Sequence, residues 1–247
     1  MGKNKPISSV GKTVKYFKYA TGEIALVVIG IMLALQMNTW KEAKNNTITT
    51  NTYLTSLKIE IDKNIKLLEI HIDQLDKDII RAATSLKRLN SDDAKYFNQD
   101  SLQTIMSTAP IYKTAIRTST FNDLVNSGTL KFLENKDVKN EILSIEPNIE
   151  LFKENFELAK DVWEGYQLPY LMEHSHTSGN WDSIRGVKID KPNFKRTKKA
   201  FVHNKIYANI LALRMRMVAN YANKLSDCKE NFLLISSSLD NYLKEKI

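Results

Sequence analysis

Few residues in this 247-residue chain combine the type and spacing that chemistry needs. His174 and His176 flank Ser175 behind Glu173, with Asp182 close by. His-x-His on a strand or loop offers two imidazoles to zinc, and His203 or Cys228 has the right ligand type to complete a set. Against this, no His-Glu-x-x-His helix motif is present, and residues 175–183 (SHTSGNWDS) read as an exposed polar loop. Solvated loop histidines are the preferred reading, so no metal and no cofactor is assigned. Lys188, Lys191, Lys195, Arg196, Lys198 and Lys199 form a basic stretch with Phe194 among them. In a cytoplasmic protein that stretch would suggest nucleic acid. In the orientation argued below it meets lipid head groups, surface glycan or a protein partner, and nucleic acid is not expected. Its plainer reading is a solvated loop leading into a helix. No nucleophile elbow, phosphate loop, dinucleotide fingerprint or paired acids in an enzyme-like context occur.

Two further polar residues stand out because of their company. Glu23 and Gln36 interrupt the most apolar part of the chain. A carboxylate in a bilayer is costly unless it reaches the interface or a partner. Glu23 therefore reads as an interfacial acid answering Lys18 or Lys15, or as a helper at the start of a helix after Thr21 and Gly22. The sharper alternative has it lining a pore in an oligomer, with Gln36, thirteen residues on, expected on a similar helical face. Gly30 and Ala34 form a small-xxx-small pair, with Gly22 two turns earlier on what reads as nearly the same stripe. Such a stripe lets membrane helices approach and self-associate.

The element that positions these residues is an apolar segment. Ile24–Leu35 contains no polar side chain, and the stretch from residue 17 to residue 40 carries only Lys18 and Glu23 as charges. At 1.5 Å per residue those 24 residues extend about 36 Å, enough to cross a hydrocarbon core of about 30 Å. Tyr16, Phe17 and Tyr19 mark one end and Trp40 the other, as an interfacial aromatic belt does. No small-residue cleavage site follows, so the segment reads as an uncleaved signal anchor. The chain carries a net charge of +8, and five of those charges (Lys3, Lys5, Lys12, Lys15 and Lys18) fall in the acid-free first 22 residues. By the positive-inside tendency the N-terminus lies in the cytoplasm and the bulk of the chain outside the inner membrane. The expected domains are a basic cytoplasmic tail (1–16), a transmembrane signal-anchor helix (17–40) and an extracytoplasmic helical part (41–247) with an irregular loop at about 173–198.

The segment KYFKYATGEIALVVIGIMLALQMNTWKE resembles the N-terminal signature of a family of uncharacterised Bacteroidota membrane proteins, a domain of unknown function. The residues that carry the resemblance include Gly22, Glu23, Ile24, Gly30, Ala34, Leu35, Gln36, Asn38 and Trp40, while Thr39 and Lys41 stand where the family usually has Asn. A second stretch, STFNDLVNSGTLKFLENKDVKNEI, is more loosely similar to an internal element of that family. The resemblance implies a bacterial envelope address and no activity.

Beyond the anchor, no Gly or Pro occurs between Gly30 and Pro110, nor after Pro192. In the first block apolar residues recur at Leu54, Leu57, Ile61, Ile65, Leu68, Ile72, Leu75, Ile79, Ala82, Leu86 and Leu89, a three-four alternation that predicts one long helix. It is expected to stop at the Asn90–Asp93 cluster, with a hinge in the polar run from Asn45 to Asn51. The last block repeats the pattern through Ile206, Ile210, Leu213, Met217, Tyr221, Leu225, Cys228, Phe232, Ile235, Leu239 and Tyr242. Between them the sequence predicts shorter helices: one before Pro110, one capped by Ser119 or Thr120 and stopped at Gly128, one capped by Asn135 or Asp137, and one with Pro147 in its first turn. The lone cysteine, Cys228, excludes an intrachain disulfide. The expected fold is mostly α: a transmembrane helix continuing into an elongated antiparallel helical bundle with a coiled-coil-like seam. The expected function is a membrane-anchored, non-enzymatic scaffold or binding protein. Its partners would be the lipid bilayer and either further copies of itself or another envelope protein. The alternatives are a subunit of an oligomeric channel or transport complex built around Glu23, and, third, a metal-dependent enzyme using His174 and His176.

Overall fold

The computed structural model describes residues 10–92, 111–175, 183–188 and 198–245, with side chains from Tyr19 onward. The protein is mostly α. Helix α1 spans Val10–Leu89, α2 Ser119–Asn126, α3 Lys136–Leu143, α4 Ile145–Val162, α5 Leu168–His174 and α6 Lys205–Glu245. A 3-10 turn at Thr129–Phe132 follows α2, and another at Lys198–Ala200 precedes α6. The expected helix before Pro110 lies outside the described residues.

Helix α1 is 80 residues long, about 120 Å at helical rise. It passes without a break through Asn45–Asn51, so the expected hinge is corrected. The reason lies in the threonines. Thr47 Oγ1 donates to the Ala43 carbonyl, Thr50 Oγ1 to Asn46, Thr52 Oγ1 to Ile48 and Thr55 Oγ1 to Asn51. Each hydroxyl is satisfied inside the helix, so it does not compete for an alternative backbone conformation. The helix ends at Leu89, just before the Asn90–Asp93 cluster, as expected.

The seam of α1 is buried where the periodicity places it, except near its end, where Ser85 is buried and the expected Leu86 is half-buried. Leu54, Leu57, Ile61, Ile65, Leu68, Leu75, Ala82 and Leu89 are all buried, and Ile72 and Ile79 pack partly buried against the core. Helix α6 differs from expectation in its first half. Ile206 and Leu213 are exposed, and the buried residues are Tyr207, Leu211, Arg214 and Val218, continuing through Tyr221, Leu225, Cys228, Phe232, Ile235, Leu239 and Tyr242. That series alternates four and three without a fault, whereas the expected one did not. The register shifts by one because a seam position is filled by Arg214, which an apolar search passes over.

Specific contacts tie the two long helices together. The backbone N–H of His203, just before α6, donates to the Leu89 carbonyl at the end of α1. Toward the other end of α6, Ser236 Oγ donates to Asp62 Oδ1 at 2.7 Å and Lys58 Nζ lies 3.4 Å from Asp240. Helix α4 packs on α6 through Ile149, Phe152, Phe156 and Ala159, all buried, with Pro147 in its first turn as expected. Asn135 caps α3, its Oδ1 accepting the N–H groups of Asp137 and Val138. Gly128 follows α2 with φ +69°, a left-handed stop that glycine adopts without penalty.

Two departures from regular helix carry information. Residues 163–167 form a π-turn, in which the Leu168 N–H donates to the Trp163 carbonyl five residues back. Pro169 explains it: without an N–H it cannot serve the Gly165 carbonyl, and its ring crowds that oxygen in an ordinary helix. Within the expected irregular loop, Ser183–Ile184 and Val187–Lys188 pair as a two-stranded hairpin. Arg185 and Gly186 at its tip both have positive φ (49° and 84°), the signature of a tight hairpin turn.

Candidate functional site

The apolar segment of α1 is the first candidate. From Tyr19 to Lys44 every residue is exposed. The helix contains a stretch long and apolar enough to cross a membrane, and none of that stretch is buried within the chain. Trp40 closes its far end, with Lys44 Nζ 5.6 Å from the ring centroid. Among the described residues, Gly22 and Gly30 have no neighbouring atom within 4 Å of where a Cβ would stand.

Helical geometry corrects two of the expected alignments. Thirteen steps at about 100° each turn through about 220°, so Glu23 and Gln36 project to different sides of α1. Gly30 and Ala34 lie about 40° apart and do share a stripe, but Gly22 sits about 80° from Gly30, away from it. Glu23, seven residues before Gly30, falls on the Gly30 stripe instead.

The loop candidates separate. Lys191, Lys195 and Arg196 lie outside the described residues, as do His176 and Asp182. Lys198 and Lys199 begin the 3-10 turn before α6 and are exposed. His174 ends α5, its ring 4.3 Å from that of Tyr170 and its Nε2 3.9 Å from Glu173. His203 is held elsewhere: its N–H bonds Leu89 and its Nε2 lies 3.2 Å from Asp92. Cys228 is fully buried in the long-helix core, and burial pushes its thiol up to about 12. The suggested completion of a His174 metal set by His203 or Cys228 is therefore corrected. Among the described residues no group of three or more His, Cys, Asp or Glu can hold a metal ion.

Sequence reasoning missed two buried polar constructions. The first is a row of polar side chains on α1 that grips the extended segment 111–118 and the start of α2. Glu60, 7% exposed, accepts from the backbone N–H groups of Thr120 and Phe121 and from Ser119 Oγ. It thus caps α2 from outside, satisfying donors that Thr118, the residue in the cap position, leaves unserved. Ser119 and Thr120, expected as the cap, are instead the capped residues. One turn on, Asn64 makes a two-way bond with Arg117: its Nδ2 donates to the Arg117 carbonyl at 2.7 Å and its Oδ1 accepts the Arg117 N–H at 3.0 Å. Farther along, His71 Nδ1 meets Thr114 Oγ1, which also bonds the Tyr221 hydroxyl of α6 at 2.8 Å. Glu60 and Asn64 each precede a seam residue by one and read as solvated flank in the sequence. The usable signal was the stretch opposite, which lacks both helical and strand periodicity and so needs partners for its backbone.

The second construction surrounds Arg214, 3% exposed. Its Nη1 donates to Oε1 of the fully buried Gln167 at 3.0 Å, and its guanidinium lies 4.8 Å from the Trp163 ring centroid. Burial lowers its pKa to about 10, opposed by the charge of Asp78. Gln167 and Trp163 both belong to the π-turn, so the irregular backbone aims the groups that receive the buried cation. Tyr170 and Tyr207 stack nearby with centroids 5.2 Å apart, and Phe201 meets both rings edge-on. Both constructions order helices: the first fixes segment 111–118 and the start of α2 on α1, the second seats the π-turn on α6.

Comparison with known proteins gives no match to a family model, to a curated protein or to a solved structure.

Proposed function

We propose that the chain is a membrane-anchored, non-enzymatic scaffold or binding protein of the bacterial cell envelope. Its N-terminal side lies in the cytoplasm, residues 17–40 cross the inner membrane once, and the remainder stands outside as an elongated antiparallel helical bundle that self-associates or grips another envelope protein. The observation that carries this reading is the contrast along α1. An apolar span with no burial in the chain runs, without a break, into a seam buried against the rest of the protein. The acid-free basic residues before the span support the orientation. The pairings of Leu89 with His203, Asp62 with Ser236 and Lys58 with Asp240 support the antiparallel arrangement. Resemblance of the anchor to the Bacteroidota signature supports the envelope address.

The test is topological. Single cysteines at Ser8 and Lys77 are offered to a membrane-impermeant maleimide in intact cells. Labelling of S8C only after permeabilisation, and of K77C without it, is the expected result. The reverse pattern refutes the orientation, and labelling of both without permeabilisation refutes the single pass. The mass of the purified full chain in detergent then separates a self-associating scaffold from a monomer that binds a different partner.

A further inference from the structure

The contact between α1, the segment 111–118 and α6 has a fixed number of protons. Three hydrogen bonds meet at Thr114. Its backbone N–H donates to the Tyr221 hydroxyl oxygen at 3.2 Å, its Oγ1 lies 2.8 Å from that same hydroxyl, and its Oγ1 also meets His71 Nδ1. Thr114 and Tyr221 are buried, and His71 is half-buried, its ring edge-on to Tyr221 at 5.9 Å. The Tyr221 oxygen accepts the amide proton, and among the described residues the acceptor beside its own proton is Thr114 Oγ1, so that proton goes there. The Thr114 hydroxyl proton then has one acceptor left, His71 Nδ1. That assignment uses every donor once, and it requires a neutral imidazole with its proton on Nε2.

Protonating His71 spoils the count. Nδ1 becomes a donor and takes a lone pair of Thr114 Oγ1. The hydroxyl protons of Thr114 and Tyr221 then compete for the one oxygen–oxygen contact between them, which holds a single proton, and the other is orphaned in a buried place. The other anchors of the segment carry no such dependence: Asn64 holds Arg117 through an amide, and Glu60 holds Ser119, Thr120 and Phe121 farther on.

We propose that His71, Thr114 and Tyr221 form an acid-sensitive latch, which holds the Thr114 end of segment 111–118 against α1 and α6 when His71 is neutral and releases that end, with Asn64 as the fixed point, when His71 is protonated. The groups around His71 agree with this. From α6 the facing titratable group is Tyr221. From the segment itself come the flanking cations Lys113 and Arg117. From α4 come Phe156, against Tyr221, and Glu157, 3.9 Å from Lys113. On α1 the charge that acts on His71 is Asp78. Burial holds the His71 pKa below its ordinary 6.5, and Asp78 opposes that only in part. The folded value lies below the unfolded one, so the latch is at full strength above about pH 6.5 and is lost as pH falls from there through the depressed folded value. A protein facing the outside of a cell membrane experiences such a change, and this device makes it mechanical at one end of one segment.

The test is residue-resolved hydrogen exchange on the full chain in lipid nanodiscs, corrected for intrinsic exchange. Between about pH 7.5 and about pH 5, protection of the Thr114 amide is expected to fall about tenfold, with the Arg117 amide and the Asn135-capped Val138 amide unchanged. In H71N, whose amide oxygen takes the place of Nδ1 and accepts but does not titrate, the Thr114 amide is expected to stay protected throughout. The proposal is overturned if wild-type Thr114 protection is independent of pH, or if H71N loses it over the same range. Should H71N not fold, the His71 ring titration in the wild type decides: its midpoint matches that of Thr114 exchange if the latch exists, and a mismatch overturns it.

Discussion

The two halves of α1 share one backbone and one helical repeat but meet different surroundings. From Tyr19 to Lys44 the side chains are exposed on all sides, including Leu26, Ile29, Leu33 and Leu35. From Thr50 to Leu89 burial follows one side of the helix, and the opposite side is mostly polar, with Ile59, Leu67, Ile70 and Ile80 the large apolar residues exposed on it. An all-round apolar helix wants an apolar surrounding, whereas a one-sided helix wants a single packed partner. The comparison teaches that continuity of a helix says nothing of continuity of environment. The junction lies in the run of threonines, whose hydroxyls bond back into the helix and let it cross from one regime to the other unbent.

The contrast can be broken in four ways, given from the largest effect to the smallest. Phe232→Ala empties a site 1% exposed in the long-helix core and is expected to cost about 3–5 kcal/mol in urea unfolding of the detergent-solubilised chain. Leu33→Ala, in the exposed half, is expected to leave the same transition within about 0.5 kcal/mol. Equal losses would abolish the distinction. Next, with residues 17–40 spanning the membrane as proposed, Leu33→Arg would put a charge in the bilayer at an insertion cost of about 2.5–3.5 kcal/mol, read as a smaller carbonate-resistant membrane fraction. The same change at the exposed Ile59 is expected to leave that fraction intact. Third, Glu60→Gln replaces a carboxylate that accepts three hydrogen bonds by a group with one oxygen. A loss of about 1–3 kcal/mol is expected, together with faster exchange of the Thr120 and Phe121 amides. Last, Asn135→Ala removes the α3 cap for about 1 kcal/mol, visible as local fraying at Asp137 and Val138.

Apolar spacing made much of this fold legible. The seam of α1 from Leu54 to Ala82, the second half of α6 from Tyr221 to Tyr242, and the Asn135 cap all lie where the sequence places them. What escaped was polar. Arg214 fills a core position because Gln167 and Trp163, about fifty residues away in sequence, receive it, and that pairing is invisible to a periodic search. Glu60 and His71 escaped for the same reason: each reads as surface until the segment that it holds is brought alongside. The hinge expected at Asn45–Asn51 rested on composition alone, and local hydroxyl bonding outweighed it. For the candidate site, the exposed apolar span was legible in full, but the alignments of Glu23 with Gln36 and of Gly22 with Gly30 failed on helical geometry.

The most direct test of the account asks where the two halves of α1 sit. Cys228 is buried, so spin labels can be placed on introduced cysteines. Labels at Val27, Ile31 and Leu35, and separately at Ile59 and Ile70, are read in lipid nanodiscs by collision with oxygen, which concentrates in lipid, and with a water-soluble nickel chelate. The account predicts high oxygen and low chelate accessibility at the first three positions and the reverse at the last two. Chelate accessibility at Val27, Ile31 and Leu35 equal to that at Ile59 and Ile70 would contradict it.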